Sequence, residues 1–414
     1  MTNKPPFRKE NSMKRVMVIP GGIWQIKLLK ALHKKGIETL NTSPYPNSPG
    51  FAYADYAELA DALDKEKNLS IAEKYNVCAV LSDQSDIAIP TVAYVADKLG
   101  IPGIGMEKAR LFSNKVLMRE FLLSHNLVCP KFKKCRTVEE AKEFLEDVGR
   151  MIIKPIDSQS SRGVTLIENE DELLEKFEVA RSFSNSDKVV LAEEYISGEE
   201  FTVDGIKFSD RHYTTAISHK EEFYKGNANV SKVQYFSQYH PDYDYDLLRK
   251  QHNHLVELMG LKFGLTHAEY RYHNGKFYLI EIGARGGGSN LSGTIVPYMS
   301  GIDHYDILIR MAMGEKVLAE GMNLPPYDPQ KHAVLEFLDF GEGKIQKIEG
   351  EDAVKEIPGV VEFKLEVKEG DILTTPEFGR VRPGYFIAVA NSKAEIERLR
   401  VVIKETLKVG KQAN

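Results

Sequence analysis

The sequence predicts a multidomain chain of mixed α/β and α+β class, and three observations carry that expectation. At 414 residues, 42% hydrophobic and 28% charged, the chain is too long for one core and has an ordinary globular composition. Over roughly its first hundred residues, short apolar runs alternate with helically spaced ones, the pattern of a parallel sheet with crossover helices. The middle of the chain instead places strand-like segments on either side of an Asn-Gly pair, the signature of an antiparallel hairpin.

The elements follow in order. Residues 1–12 are polar, with no apolar stretch of a secretory signal, and are expected as a disordered tail. Arg15 to Ile19 reads as a strand, Pro20-Gly21-Gly22 as a turn, and Ile23, Ile26, Leu29 and Leu32 as the apolar face of a helix stopped by Gly36. A second strand, Val77 to Leu81, runs into the polar cluster Ser82-Asp83-Gln84-Ser85-Asp86. A helix from Ile89 to Leu99 closes at Gly100. Together these predict a small parallel α/β domain over 13–112.

Helices are expected near 114–125 and 138–148, then the strand Met151 to Pro155, a helix over 170–183 and the strand Val189 to Leu191. Phe201 to Gly205 alternates as a strand. His267 to Tyr272 and Lys276 to Ile282 pair about His273-Asn274-Gly275. This α+β region is set at 113–325, with subdomains 113–190 and 191–325. From 326 to 414 the sequence turns to short strands and a long helix from Ser392 to Leu407, expected as a small C-terminal α/β domain.

Composition excludes several classes. The net charge is −5, and no basic stripe interleaves with aromatics, so nucleic acid is not an expected partner. No apolar run reaches the roughly 18 residues of a membrane span. The three cysteines, Cys78, Cys129 and Cys135, form no CxxC pair. Their odd number argues for free thiols in a reducing, cytoplasmic setting and against structural zinc.

Three features suggest chemistry. Lys154 ends an apolar strand and is followed by the loop Asp157-Ser158-Gln159-Ser160-Ser161-Arg162-Gly163. Such a loop can bring backbone N–H groups, hydroxyls and a guanidinium to phosphate oxygens, or can simply be a solvated turn. Glu269 and Glu281 lie on opposite sides of the hairpin turn, roughly facing each other. Two such carboxylates repel unless a cation lies between them, and Mg2+ suits them; the alternative is a pair of exposed strand-end glutamates, weakened by the apolar residues flanking Glu281. Arg285 precedes Gly286-Gly287-Gly288, a run that allows either close approach to a ligand or a flexible loop.

Taken in this order, the features resemble the ATP-grasp superfamily over nearly the whole chain, with D-alanine–D-alanine ligases, L-amino-acid ligases, biotin carboxylase and the formate-using glycinamide ribonucleotide enzyme nearest in flavour. The resemblance implies an ATP-grasp fold with an N-terminal Rossmann-like preATP-grasp domain and a small C-terminal domain. It implies that Lys115 and Lys154 bind ATP, with Ser160, Ser161, Gly163 and Val164 in a mobile loop over the phosphates. Glu193, Glu194, Tyr195 and Ile196 match the adenine-reading hinge, and Glu200 the ribose-binding glutamate. Glu269 and Glu281 match the metal carboxylates, for Mg2+ or Mn2+. Lys154, Ser161 and Arg285 fall among the catalytic positions, and His267, Arg285, Gly287, Gly288 and Asn290 on the substrate side. Gly283 stands where many members keep an asparagine, which leaves the metal shell to be completed by other groups. Ser289 stands where biotin carboxylase keeps a glutamate.

The implied function is an ATP-dependent carboxylate–amine ligase acting through an acyl-phosphate on small amino-acid or sugar-acid substrates, as a monomer or homodimer. The alternatives are a formate- or bicarbonate-activating enzyme of a nucleotide pathway and a non-catalytic ATP-binding regulatory protein. The polar and aromatic stretch His219 to Tyr245 is expected either over the acceptor side or as a solvated loop.

Overall fold

A computed structural model describes residues 14–158, 162–184, 188–224, 227–374 and 382–412, with the side chains of 224 and 227–230 left aside. The expected tail and the loop residues Ser160 and Ser161 lie outside these residues.

Strands β1 (Arg15–Val18), β2 (Glu38–Ser43), β3 (Tyr56–Leu59) and β4 (Ala79–Leu81) form a parallel sheet in the order β3-β2-β1-β4. The apolar faces of helices Ile26–Lys34 and Ile89–Leu99 pack on it. The second helix stops where expected, at Gly100, whose φ of 63° is the left-handed conformation that glycine adopts without Cβ strain. The polar cluster Ser82 to Asp86 follows β4, at the carboxyl ends of the parallel strands, where open α/β sheets present ligand-facing residues. Strands β2 and β3 escaped the sequence reading. β2 (Glu-Thr-Leu-Asn-Thr-Ser) is almost wholly buried although mostly polar, because Asn41 donates to the carbonyls of Val18 and Pro20 and Thr42 bonds Asn68.

Strands β5 (Phe132–Cys135), β6 (Met151–Pro155), β7 (Thr165–Ile167) and β8 (Val190–Glu194) build an antiparallel sheet in the order β5-β8-β6-β7. Helices Val138–Val148 and Leu173–Ser182 cover one face with Phe144, Leu145, Leu173 and Phe177. The first of these helices opens with a capping box between Thr137 and Glu140.

The remaining strands are β9 (Glu199–Lys207), β10 (His212–Tyr224), β11 (Asn227–Ser237), β12 (Gly264–His273), β13 (Lys276–Gly283), β14 (His332–Phe337), β15 (Gly343–Glu349), β16 (Val360–Leu365), β17 (Ile372–Leu373), β18 (Gly384–Ala390) and β19 (Lys408–Gln412). Eight of them form one sheet, β13-β12-β9-β10-β11-β14-β18-β16, while β17, β15 and β19 form a small sheet of their own. The boundary expected at 326 falls between the helix His304–Ala312 and β14, yet the hydrogen-bond ladder continues through β11 and β14. C-terminal strands thus extend the central sheet rather than standing apart from it.

Of the two alternatives for the polar stretch from His219 to Tyr245, the structure rules out one. The stretch from His219 is no solvated loop. Its first half lies in β10 and β11 at the middle of the sheet, and its end begins the helix Tyr245–Met259. Dense polar residues hid the strands, because their charges are paired inside the protein. No helix among the described residues is long and apolar enough to cross a membrane. All three cysteines are free. Burial pushes the thiols of Cys129 and Cys135 up to about 11, so neither is an activated nucleophile.

Candidate active site

A cleft of about 830 Å³ opens between the sheet of β5–β8 and the hairpin β12–β13. Charged groups from several elements converge there: Lys115, Lys154, Glu193, Glu200, Glu269 and Glu281.

Local structure explains each placement. The Asn114 side chain accepts from the amides of Val116 and Leu117, so the helix Lys115–Ser124 begins with Lys115 at the cleft. Lys115 is almost fully buried, its Nζ 2.8 Å from Glu281 and donating to the carbonyl of Ser158 at 2.8 Å. Lys154, on β6, places its Nζ 2.5 Å from Glu193 Oε2. Glu193 Oε1 lies 2.6 Å from the guanidinium of Arg119. Burial, strongest of the influences and only partly offset by Glu193, combines with the nearby Arg119 and Lys115 charges to pull the Lys154 pKa down to about 8. Burial works against the Glu193 carboxylate too, but Arg119 and Lys154 outweigh it and hold its pKa below the usual value.

Glu269 and Glu281 face each other as direct cross-strand partners. A bulge makes this possible. Tyr270 pairs with Leu279 and Glu269 with Glu281, so Ile280 is an extra residue. Without it the side-chain alternation would turn Glu281 to the other face of the sheet. On the same face, Lys220 of β10 lies 3.0 Å from Glu269 and is ion-paired with Glu200. Burial alone would raise the Glu269 pKa, but the Lys220 charge brings it down to about 2. Arg271 closes the row, 3.2 Å from Glu200 and donating to the carbonyl of Ile196.

Two facing carboxylates, each beside a lysine, suit a hard divalent cation that shares its shell with phosphate oxygens. No three His, Cys, Asp or Glu side chains converge as a metal cage among the described residues; Glu269 and Glu281 are the pair that could contribute to such a shell.

Of the hinge residues, Glu193, Glu194, Tyr195 and Ile196 all line the cleft, as do Arg162 and Val164 of the loop. Gly163 does not: at φ 70° it packs toward Phe183 and Ala180. Arg285, His267, Gly287, Gly288 and Asn290 lie outside the cleft lining and belong to a neighbouring polar network. Asp86 grips Arg285 with two bonds, Nε to Oδ1 at 2.9 Å and Nη2 to Oδ2 at 2.7 Å, while Nη1 donates to the carbonyl of Gly286. The amides of Gly286 and Gly287 donate to Asp83 and Asp204, and His267 bonds the same Asp204 oxygen at 3.0 Å. An added Cβ at Gly287 would lie 2.8 Å from Asp204 Oδ1 and 2.9 Å from His267 Nδ1, so close packing, rather than flexibility, accounts for this glycine. Asn290 is committed to Glu362 and Tyr385.

Sequence reasoning assigned no role to Asp83, Asp86, Asp204 or Arg271, and placed Lys220 only within the polar stretch expected over the acceptor side or as a solvated loop. Asp83 and Asp86 carried a signal in the polar cluster after β4; the others sit in strands whose tertiary partners are remote in sequence.

Comparison with known proteins decides the family. Residues 149–293 match the ATP-grasp domain, and residues 336–408 match the L-amino acid ligase C-terminal domain 2. The chain is an ATP-grasp ligase. It is similar to dapdiamide A synthase of Enterobacter agglomerans, at 25% identity over 354 residues, covering 82% of this chain and 81% of that protein. It is also similar to alanine–anticapsin ligase of Bacillus subtilis, at 26% over 176 residues, covering 40% and 37%. In fold, the ATP-grasp ligase superposes on L-amino acid ligase from Bacillus licheniformis with a TM-score of 0.79 and 22% identity, covering 97% of this chain and 99% of that one. Phosphoribosylglycinamide synthetase from Anaerococcus prevotii gives a TM-score of 0.73 at 19% identity, covering 97% and 100%.

Proposed function

We propose that this ligase uses ATP to phosphorylate the carboxylate of an amino acid or a similar small acid, and passes the acyl group to an amine. The observation carrying this reading is the convergence of Lys115, Lys154 and the in-register pair Glu269 and Glu281 on one cleft. Names of relatives, dapdiamide A synthase and alanine–anticapsin ligase, favour an amino acid over a sugar acid.

ATP lies with its adenine against Glu193 to Ile196 and its ribose hydroxyls toward Glu200. Lys115 and Lys154 meet the phosphate oxygens. Glu269 and Glu281 would hold Mg2+ or Mn2+, which when bound neutralises phosphate charge. A substrate carboxylate oxygen attacks the γ-phosphorus and the bond to ADP breaks, giving an acyl-phosphate. The amine then attacks the acyl carbon, phosphate leaves with the bonding pair, and a proton is released as the amide forms. Asp86 occupies Nε and one N–H of Nη2 on Arg285, and the Gly286 carbonyl takes one N–H of Nη1. Among the described residues, one N–H on each terminal nitrogen is left for an oxyanion.

The test is ADP release from Mg2+–ATP with pools of acids crossed against pools of amines, beside Lys154→Ala and Glu281→Ala. Release that requires one acid and one amine and is lost in both variants is the expected result. Release supported by formate or bicarbonate as the acid would replace the proposal with a one-carbon activating enzyme. ATP binding with no release in any pool would replace it with a non-catalytic ATP-binding protein.

A further inference from the structure

The hairpin β12–β13 keeps a regular register outward from its turn: His273 with Lys276, Tyr272 with Phe277, Arg271 with Tyr278, Tyr270 with Leu279. Continued unchanged, it would set Glu269 opposite Ile280 and send Glu281 to the other face. A carboxylate pair therefore exists only because the chain bulges at Ile280. A bulge leaves backbone groups out of the ladder, and a buried carbonyl without a donor is costly. The Ile280 carbonyl has a donor from outside the sheet: Arg119 Nη2, at 2.7 Å.

Arg119 is fully buried in the helix Lys115–Ser124. The same guanidinium lies 2.6 Å from Glu193, which in turn holds Lys154 at 2.5 Å. One helical turn earlier, on the same helix face, Lys115 is ion-paired with the Glu281 carboxylate. This short helix thus holds β13 twice, at the backbone of Ile280 and at the side chain of Glu281, while tying it to β8 at Glu193 and through that carboxylate to Lys154. The geometry points to Arg119 as a positioning residue that fixes Glu281 for metal binding by clamping the Ile280 bulge, an inference resting on the reading of the cleft as a metal–ATP site. A lysine cannot do both jobs, because its single ammonium lacks the fork that reaches Glu193 and the carbonyl together.

Mn2+ binding in the presence of a non-hydrolysable ATP analogue, followed by electron paramagnetic resonance, tests this without turnover. Arg119→Lys keeps the charge and loses the fork. Arg119→Met removes the charge but leaves Glu193 and Lys154 as a neutral pair, so it remains foldable if the lysine variant is not. Both should weaken Mn2+ binding by about ten- to hundredfold, the effect expected when the support of a metal ligand is removed. A folded variant that binds Mn2+ as tightly as the unaltered protein would overturn the role of Arg119 alone. Failure of the unaltered protein to bind Mn2+ with the analogue would overturn the metal–ATP reading, and the inference with it.

Discussion

At the scale of single residues, Lys154 makes the sharpest prediction. Its folded pKa of about 8 lies below the value of about 10.4 for a free lysine, because burial and the Arg119 and Lys115 charges outweigh the help of Glu193. The ammonium is present at neutral pH and is lost as pH rises through 8. If it meets ATP phosphates, the Kd for ATP should rise above pH 8, by up to about tenfold per unit, until the higher pKa of the ammonium in the ATP complex is passed. Stability should move the opposite way. Between 8 and about 10.4 the unfolded chain binds the extra proton, so this group's contribution to stability increases with pH. Calorimetric ATP titrations and urea midpoints at pH 7 and 9.5 check both signs, with Lys154→Ala showing neither trend. An ATP affinity indifferent to pH would remove Lys154 from the phosphate site. Lys220 teaches a different lesson. Burial opposes its charge, but Glu200 and Glu269 more than compensate and raise its pKa, so it stays cationic beside Glu269. Lys220→Met should uncover that carboxylate and cut ADP release by about tenfold or more, because it strands a buried charge. The sequence marks out the polar stretch around Lys220 but not its pairing, because its partners arrive from β9 and β12.

At the scale of elements, what could be read from sequence was what is local. The β12–β13 hairpin was legible because Asn274 and Gly275 adopt φ of 48° and 78°, the conformation that an Asn-Gly turn favours. The helix Ile89–Leu99 was legible from its glycine stop. The bulge at Ile280 was not, since it depends on Arg119, which is 161 positions away. Two glycines separate turn chemistry from tertiary fit. Gly275 has open space around an added Cβ, so Gly275→Ala should cost only the left-handed backbone penalty, about 1–2 kcal/mol. Gly198, at φ 117°, would place a Cβ 2.1 Å from the carbonyl oxygen of Tyr272, where β9 begins to pair with β12. Gly198→Ala must push these strands apart beside Glu200 and Arg271 and should cost at least about 3 kcal/mol. Urea denaturation of the two variants ranks them, and equal midpoints would contradict the close approach seen at Gly198.

At the scale of the whole molecule, the segment after Arg285 is where distant parts of the chain meet. The loop after β4 supplies Asp83 and Asp86, β9 supplies Asp204, and the C-terminal region supplies Glu362, which bonds Asn290 and Thr294 and pairs with Lys27 of the first helix. No local pattern announces such a junction, which is why the sequence located Arg285 but not the groups that orient it. The N-terminal domain therefore has a direct part in the proposed chemistry, and Asp86 measures it. Its carboxylate, disfavoured by burial but held ionised by Arg285, keeps a pKa below the usual range. Asp86→Asn keeps the shape and removes the charge, so the Arg285 guanidinium would lose its charge-assisted grip, a change worth about 1.5–3 kcal/mol. Asp86 does not line the cleft proposed to hold ATP, so ATP contacts should survive. The expected outcome is a fall in kcat of roughly ten- to hundredfold with the KM for ATP unchanged. A rise in that KM at constant kcat would mean that Arg285 and its N-terminal partner serve ATP rather than the acyl group. Parallel loss of both with a lowered Tm would reduce the contact to a structural tie between domains.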